Sequence, residues 1–494
     1  MSDSLFSRFI GGTISLGLGA LSAMVLGLLG TMVATRHLSA EAFGAFVLLQ
    51  VAASFLTQVS GFGLNASVTK FVTGTEGKPH RRRLINTAIC FRLFTILVVS
   101  LVTLIARPAL STVFGSSLLP NLAVFVPLLF LLQSSSGLLK SVLQGFFLFE
   151  RISITDFIAS LSNFLLIVAF VVFLNRGVIG LIYARVISLS LSCAFMYFCT
   201  PIKKQLEFHF SILKEVLAFG FPLQINDIMT LVFSRIDTLI IGVLLGPAGI
   251  AYYEIARKIP DSLVRLYEAF SSVYFPLMSR LFALGKQREA AKMLNHSTRW
   301  ISFLSIFGAL IALIFGNDVI SLLFSEKYLP SVPVFALLMI GVNLALVEYT
   351  LGYSLVAIGD SAKPAIVNVV RTAVSLLANL LLIPISGLVG AALANVAGNL
   401  VGSPLDVLFL RRRRVDVKIG DYLKPILIFG AYWLLILFLR PNTLVEKISI
   451  VVLFILTCVF LSVITIEDLA AISREAKTTL FRALQRSRSW SAKV

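Results

Sequence analysis

Apolar runs of about twenty residues recur through almost the whole chain. A run of that length crosses the roughly 30 Å hydrocarbon layer of a bilayer as one helix. Hydropathy places about fourteen, near residues 9–34, 43–65, 84–106, 120–147, 153–174, 178–200, 218–245, 250–276, 301–324, 332–358, 364–384, 388–409, 422–439 and 446–466. Composition agrees. Of 494 residues, 58% are hydrophobic and 13% charged, and the mean hydropathy is +0.95, which leaves too little polar surface for a water-soluble fold. No stretch alternates like a barrel strand. The chain reads as an all-α polytopic membrane protein.

A net charge of +18 would suggest nucleic acid as a partner, but the positions of the charges exclude it. Counted by alternate sides of the spans, with Lys424 and Lys447 at the mouths of the last two assigned to their loops, 28 Lys and Arg fall on one side and six on the other (Arg36, Arg107, Arg176, Lys327, Arg440 and Lys447), with the remaining eight of 42 inside spans. Basic loops stay in the cytoplasm, so both termini are expected there. The runs Arg81–Arg83 and Arg411–Arg414 are then topology anchors beside spans. The four cysteines lie in or at the ends of apolar spans with no metal spacing. The segment after span 8 alternates Lys286, Arg288 and Lys292 with Leu284, Met293 and Leu294. The tail past Asp468 lines up Leu469, Ile472, Ala476, Leu480 and Leu484. Both fit helices lying on an anionic leaflet.

The eighth span is heavily charged. Glu254, Arg257, Lys258, Asp261, Arg265, Glu268 and Ser272 fall within roughly 60° of one line at about 100° per residue. Charge at membrane depth faces a bundle interior or a watery cavity. The stripe is therefore either the wall of a polar path or a neutralised ladder joining helices. Lys140, Arg185 and Arg371 have no acid three or four residues away in their own helices; an acid on another helix or an anionic substrate must answer each. Glu348, mid-span with no basic residue within a turn, and Asp237 are the candidates for coupling transport to H⁺ or Na⁺; no other cofactor is expected, and no metal centre. Prolines within spans, Pro127, Pro222, Pro260 and Pro276, mark possible kinks.

Two halves of about 210 residues match. GVIGLIYARV at 177–186 parallels GLVGAALANV at 387–396. At a shift of 207, Gln50, Ser54, Thr57, Gln58, Gly61 and Asn65 of span 2 lie under the charged stripe of span 8, a neutral polar counterpart. The economical arrangement is two pseudo-symmetric six-helix lobes facing a cavity: residues 1–200, a linker at 201–217, residues 218–410, two extra helices over 411–466 and a basic tail at 467–494.

Across about residues 10–410 the order of segments resembles a bacterial polysaccharide transporter, a branch of the multidrug/oligosaccharidyl-lipid/polysaccharide exporter superfamily. The segments are TRHLSAEAFGAFVLLQ, GFGLNASVTKF, FGFPLQ, SRIDTLIIGVLLGPAGIAYYEIARKI, YFPLMSRL, LFSEKYLPSVPVFALL and NLLLIPISGLVGAALA. The resemblance implies a V-shaped pair of lobes in the bacterial inner membrane, working by alternating access. The implied cargo is an oligosaccharide on a polyprenyl pyrophosphate, for lipopolysaccharide, capsule or exopolysaccharide assembly, with a glycan polymerase or glycosyltransferase as a possible partner. Lys140, Arg185, Arg257, Lys258, Asp261, Arg265, Glu268, Arg371, Gln50, Gln58 and Asn65 are the candidate cargo contacts. The two extra helices leave a lipid II flippase-like protein open. A multidrug exporter of the same superfamily usually carries an acid in the first span, and residues 9–34 hold none. An enzyme such as a glycan polymerase or glycosyltransferase would need a sizeable soluble loop with paired carboxylates or a metal site, and no outer loop is long enough.

The charge split makes the topology testable. Single cysteines at Lys78 and Lys286 should be shielded from an impermeant thiol reagent in intact cells, while one at Glu326 should label; the opposite pattern would invert the orientation.

Overall fold

The computed structural model describes residues 2–74, 78–106, 119–201, 205, 207–360 and 362–463. The tail face from Leu469 to Leu484, and Arg107 among the outer basic residues, lie outside them. Among the described residues there are fourteen α-helices and no strand: α1 (Ser2–His37), α2 (Ala40–Val59), α3 (Leu64–Gly74), α4 (Lys78–Ile105), α5 (Leu119–Leu122), α6 (Phe125–Gly145), α7 (Phe149–Ile167), α8 (Gly177–Cys199), α9 (Phe210–Ala283), α10 (Gln287–Leu323), α11 (Val332–Ala357), α12 (Ala362–Arg412), α13 (Ile419–Leu439) and α14 (Leu444–Phe460). A π-helical turn, Val168–Phe173, ends α7. Eleven helices are long and apolar enough to cross a membrane. Two of them, in α9 and α12, are each a pair of spans joined at one non-helical residue, Gly246 (φ 71°, ψ −175°) and Gly387 (φ 58°, ψ −130°). With those divided, and with the shorter α14 of 17 residues, the fourteen expected spans are all accounted for.

Lipid is the solvent. Phe438, Phe460, Phe198 and Ile385 are 86, 85, 82 and 79% exposed, whereas Thr35, Ser67, Asn86, Asn343 and Thr350 are fully buried. Buried hydroxyls bond back along their own helices, as Thr35 Oγ1 does to the Thr31 carbonyl at 2.8 Å, which satisfies the donor where water is absent.

The chain forms two compact units. One comprises residues 1–265, 318–335 and 372–398; the other comprises 266–317, 336–371 and 399 onward. In the first, Leu64, Val68, Ile85, Leu138, Val142 and Val216 pack α3, α4, α6 and α9 together. In the second, Tyr274, Leu294, Leu351, Leu410 and Val417 pack α9 to α12 and the segment after α12.

Three local expectations change. Span 2 does not run unbroken to residue 65. The chain leaves the helix at Ser60 and passes through Phe62 and Gly63 at φ 49° and 67°, which a right-handed helix cannot include. Asn65 therefore belongs to α3. The joint is held by Gln224, whose Oε1 accepts from the Gly63 N–H at 2.6 Å. Pro222, Pro260 and Pro276 lie inside α9 without a non-helical residue beside them; the break comes at Gly246 instead. The amphipathic segment after span 8 is no separate surface helix: from Gln287 it is continuous with span 9 in the 37 residues of α10.

Gly246 sits in a region of φ/ψ space that only glycine occupies readily, and other residues pay about 1–3 kcal/mol there. A Cβ on Gly246 or on Gly430, within α13, would meet no atom within 4 Å. Gly246→Ala should therefore lower the thermal midpoint of the detergent-solubilised protein through backbone strain alone. Gly430→Ala should leave it unchanged or raise it, since alanine is favoured in a helix by about 0.5–1 kcal/mol. Equal midpoints for the two variants would contradict this account of the α9 joint.

Candidate functional site

The first unit encloses a cavity of about 340 Å³. Its walls come from α1 (Gly27, Gly30, Thr31), α2 (Phe43, Gln50, Ser54), α7 (Asn163), α8 (Arg185) and both halves of α9 (Arg235, Glu254, Lys258, Arg265). Four cationic side chains thus face one carboxylate. One oxygen of that carboxylate is engaged: Arg235 Nη1 lies 3.3 Å from Glu254 Oε2. Among the described residues no hydrogen bond or ion pair engages the charged groups of Arg185, Lys258 or Arg265, and Arg185 Nε is a buried donor without an acceptor. Neutral hydrogen-bonding groups complete the wall. Ser54 Oγ donates to Gln133 Oε1 at 3.2 Å and Ser188 Oγ to Asn163 Oδ1 at 3.3 Å.

Helical geometry decides which members of the span 8 stripe reach the cavity. Measured from Glu254 at about 100° per residue, Lys258 and Arg265 fall about 40° and 20° to one side. Arg257, Asp261 and Glu268 fall about 60°, 20° and 40° to the other, and none of these three lines the cavity. Arg257 is a structural hub. Its Nε donates to Asp261 Oδ2 at 3.2 Å, its Nη2 to the Ser234 carbonyl at 3.1 Å, and its Nη1 lies 3.6 Å from Asp237 Oδ1. Asp237, buried, also accepts from Tyr253 Oη at 2.7 Å and the Thr238 N–H at 2.6 Å. Both its oxygens are occupied.

The cations that lack an acid in their own helix separate in the same way. Lys140 Nζ meets Asp156 Oδ2 on α7 at 2.7 Å. Arg371 Nη1 meets Glu348 Oε2 on α11 at 3.0 Å, and its Nη2 donates to Asn368 Oδ1 at 2.8 Å. Only Arg185 has no such partner. Of the polar residues of span 2, Gln50 lines the cavity, Gln58 accepts from Gln224 through its backbone carbonyl, and Asn65 Oδ1 accepts from Arg92 Nη2 at 3.2 Å.

A second polar cluster, in the second unit, surrounds the Glu348–Arg371 pair. Asp406, 1% exposed, forms no ion pair among the described residues, and its Oδ1 is buried there without a hydrogen bond. Its Oδ2 lies 3.6 Å from where a Cβ on Gly352 would stand, one turn along α11 from Glu348, so two buried carboxyl groups and one guanidinium share this cluster. Glu348 lies against Gly402, where a Cβ would come within 2.4 Å of its carboxyl carbon.

Four residues here were not among the candidate cargo contacts. Arg235 and Glu254 are separated by the Gly246 break, so helical spacing cannot pair them. Asn163 carries no signal beyond being polar in an apolar run. Arg92, 2% exposed in α4, is answered by the Ser60 carbonyl and Asn65; its depth within span 3 was the available clue.

Comparison with known proteins gives this arrangement a family. The sequence profile of the family described as "Polysaccharide biosynthesis protein" matches residues 33–333, and that of "Lipid II flippase MurJ" matches 212–464. A probable low-salt glycan biosynthesis flippase of Haloferax volcanii is 23% identical over 77% of this chain and 79% of its own length. A putative O-antigen transporter of Shigella flexneri is 25% identical over 73% of this chain and 87% of its own. The solved structure of lipid II flippase MurJ in an inward closed conformation shares the fold with a TM-score of 0.73, at 15% identity over 90% of this chain and 98% of that one. An inward-facing multidrug transporter of the same superfamily gives 0.65, at 16% identity over 79% of this chain and 94% of that one. The chain belongs to the polysaccharide biosynthesis protein family and is a multi-pass flippase of the multidrug/oligosaccharidyl-lipid/polysaccharide exporter superfamily.

Proposed function

We propose that the protein carries a polyprenyl-pyrophosphate-linked oligosaccharide across the bacterial inner membrane by alternating access, for surface polysaccharide assembly. The observation that carries the reading is the cavity of the first unit, where four cations share the wall with one carboxylate, Glu254, and among the described residues Arg185, Lys258 and Arg265 form no ion pair. Unanswered charge at membrane depth costs several kcal/mol. A pyrophosphate supplies the missing anion and bonds well to guanidinium and ammonium donors. Gln50, Ser54 and Asn163 offer the hydrogen bonds a sugar takes. The same walls disfavour the cationic cargo of a drug exporter.

The match of residues 212–464 to the lipid II flippase profile favours a second reading, in which the cargo is lipid II. Both cargoes carry the same pyrophosphate, so the cavity accommodates either. Complementation separates them, because a strain lacking its glycan flippase and one lacking its lipid II flippase fail in different products.

Energy would enter at Glu348, Arg371 and Asp406. Two carboxylates against one guanidinium leave one negative charge uncompensated, and a proton or Na⁺ supplies the balance. This arrangement favours Glu348 over Asp237, whose oxygens are both engaged.

Hydrogen bonds to charged groups contribute about 1.5–3 kcal/mol. Arg185→Gln and Lys258→Gln should therefore each lower glycan export, normalised to protein level, by about ten- to a hundredfold while the protein still accumulates. Arg257→Gln should instead deplete the protein itself, because breaking a buried pair costs about 3–5 kcal/mol. Full export by the first two variants would sink the proposed cargo path. For coupling, Asp406→Asn should make export insensitive to an imposed H⁺ or Na⁺ gradient. An unaltered gradient response would remove Asp406 from the coupling site.

A further inference from the structure

A second, separate basic recess lies in the second unit, just outside the spans. It measures about 580 Å³ and takes Arg288, Lys292 and His296 from the first turns of α10 and Arg414 and Lys418 from the segment between α12 and α13. The three α10 residues are four apart and so share one face. The connecting segment is held against that face by Asn295, 7% exposed. Its Nδ2 donates to the Asp416 carbonyl at 2.9 Å and its Oδ1 accepts from the Lys418 N–H at 2.9 Å. Along the strap, side chains alternate. Val415 and Val417, 4 and 2% exposed, pack with Ala290, Ala291 and Leu294, which leaves Arg414 and Lys418 on the open side with the α10 cations.

Two acids, Asp416 and Asp421, also border the recess. Neither comes within ion-pair distance of Arg288, Lys292, Arg414 or Lys418, and among the described residues no other carboxylate does. Of the five permanent cations that line the recess, Arg299 lies against His296 Nδ1 at 3.4 Å, and the other four converge without an ion pair to any described carboxylate, around a floor shaped by a buried asparagine. Its membrane end lies one turn before Trp300, where the apolar span begins. Indole rings settle at headgroup level. The recess therefore opens at headgroup level and extends toward water, on the side that the basic count assigns to the cytoplasm.

We propose that this recess is a binding site for the phosphodiester headgroup of an anionic phospholipid from that leaflet, distinct from the cargo cavity and independent of which glycan is carried. Phosphate diester is the recognised chemistry, and a lipid is favoured over a free phosphate because the opening sits at headgroup depth. Juxtamembrane cations each add to attraction for an anionic leaflet. None of the side chains that would contact the headgroup holds the strap, since Asn295 binds backbone groups of Asp416 and Lys418.

The test is native mass spectrometry of the detergent-solubilised full chain titrated with phosphatidylglycerol or phosphatidylcholine. The wild type should take up one saturable phosphatidylglycerol in preference to phosphatidylcholine, less so as salt rises. The triple variant Lys292→Gln, Arg414→Gln, Lys418→Gln should bind it about a hundredfold more weakly. A control variant, Arg81→Gln with Arg83→Gln at the other basic run, should bind as the wild type does. Equal uptake of the two lipids, or retention of phosphatidylglycerol by the triple variant, would overturn the proposal. So would inorganic pyrophosphate displacing the lipid at equal concentration, which would make the recess a site for soluble phosphate. If the triple variant does not fold, the single variant Lys418→Glu gives the same reading through a weaker lipid preference.

Discussion

Inside a bilayer a charge must meet an answering charge, and this requirement sorts the cations of the protein. Lys140 has Asp156, Arg235 has Glu254, Arg371 has Glu348, and Arg257 has both Asp237 and Asp261. Each pair is bought with desolvation that the Coulomb attraction only partly returns, so the pairs fix helix positions more than they add stability. Arg92 is met by neutral acceptors, the Ser60 carbonyl and Asn65; with these set aside, Arg185, Lys258 and Arg265 gather in one cavity. Their clustering is what gives the cavity its sign.

The breaks between helices determine which side chains can gather. Gly246 separates Arg235 from Glu254, and the return of the chain through that joint allows their ion pair. The internal repeat is visible in the backbone as well. Gly177 and Gly387, which head the matched segments, both have φ 58°. Ser39, the N-cap of α2, sits at the place equivalent to Gly246 at the shift of 207. The same joint is made in one half by a serine cap and in the other by a glycine turn. Chemistry differs between the halves while the path of the chain is kept: span 2 presents Gln50 and Ser54 where span 8 presents Arg257 and Asp261.

The polar groups of the second unit follow a different logic. Glu348, Arg371 and Asp406 are all buried, and among the described residues only the first two form an ion pair. Small residues make the arrangement possible. Gly402 leaves room for the Glu348 carboxyl, and close helix approach over glycine is the usual way membrane helices bring polar groups together. Outside the spans, where water screens charge, Arg288, Lys292, Arg414 and Lys418, which form no ion pair among the described residues, cost little by themselves.

The sequence by itself determined the membrane class, the fourteen spans, the repeat and the charged face of span 8. Each is written in periodicity or hydropathy, properties local to one helix, and lipid imposes them on every residue alike. It also showed that Lys140, Arg185 and Arg371 needed partners from elsewhere. Only the tertiary structure decided what those partners are: Asp156 for Lys140, Glu348 for Arg371, and none among the described residues for Arg185. It likewise split the span 8 stripe into cavity wall and structural hub, ended span 2 at Ser60 and placed Asp406 beside Glu348. The reason is physical. Which face of a helix is polar follows from the spacing of residues along it, but what that face meets depends on joints such as Gly246 and Gly63 and on side chains far away in the chain.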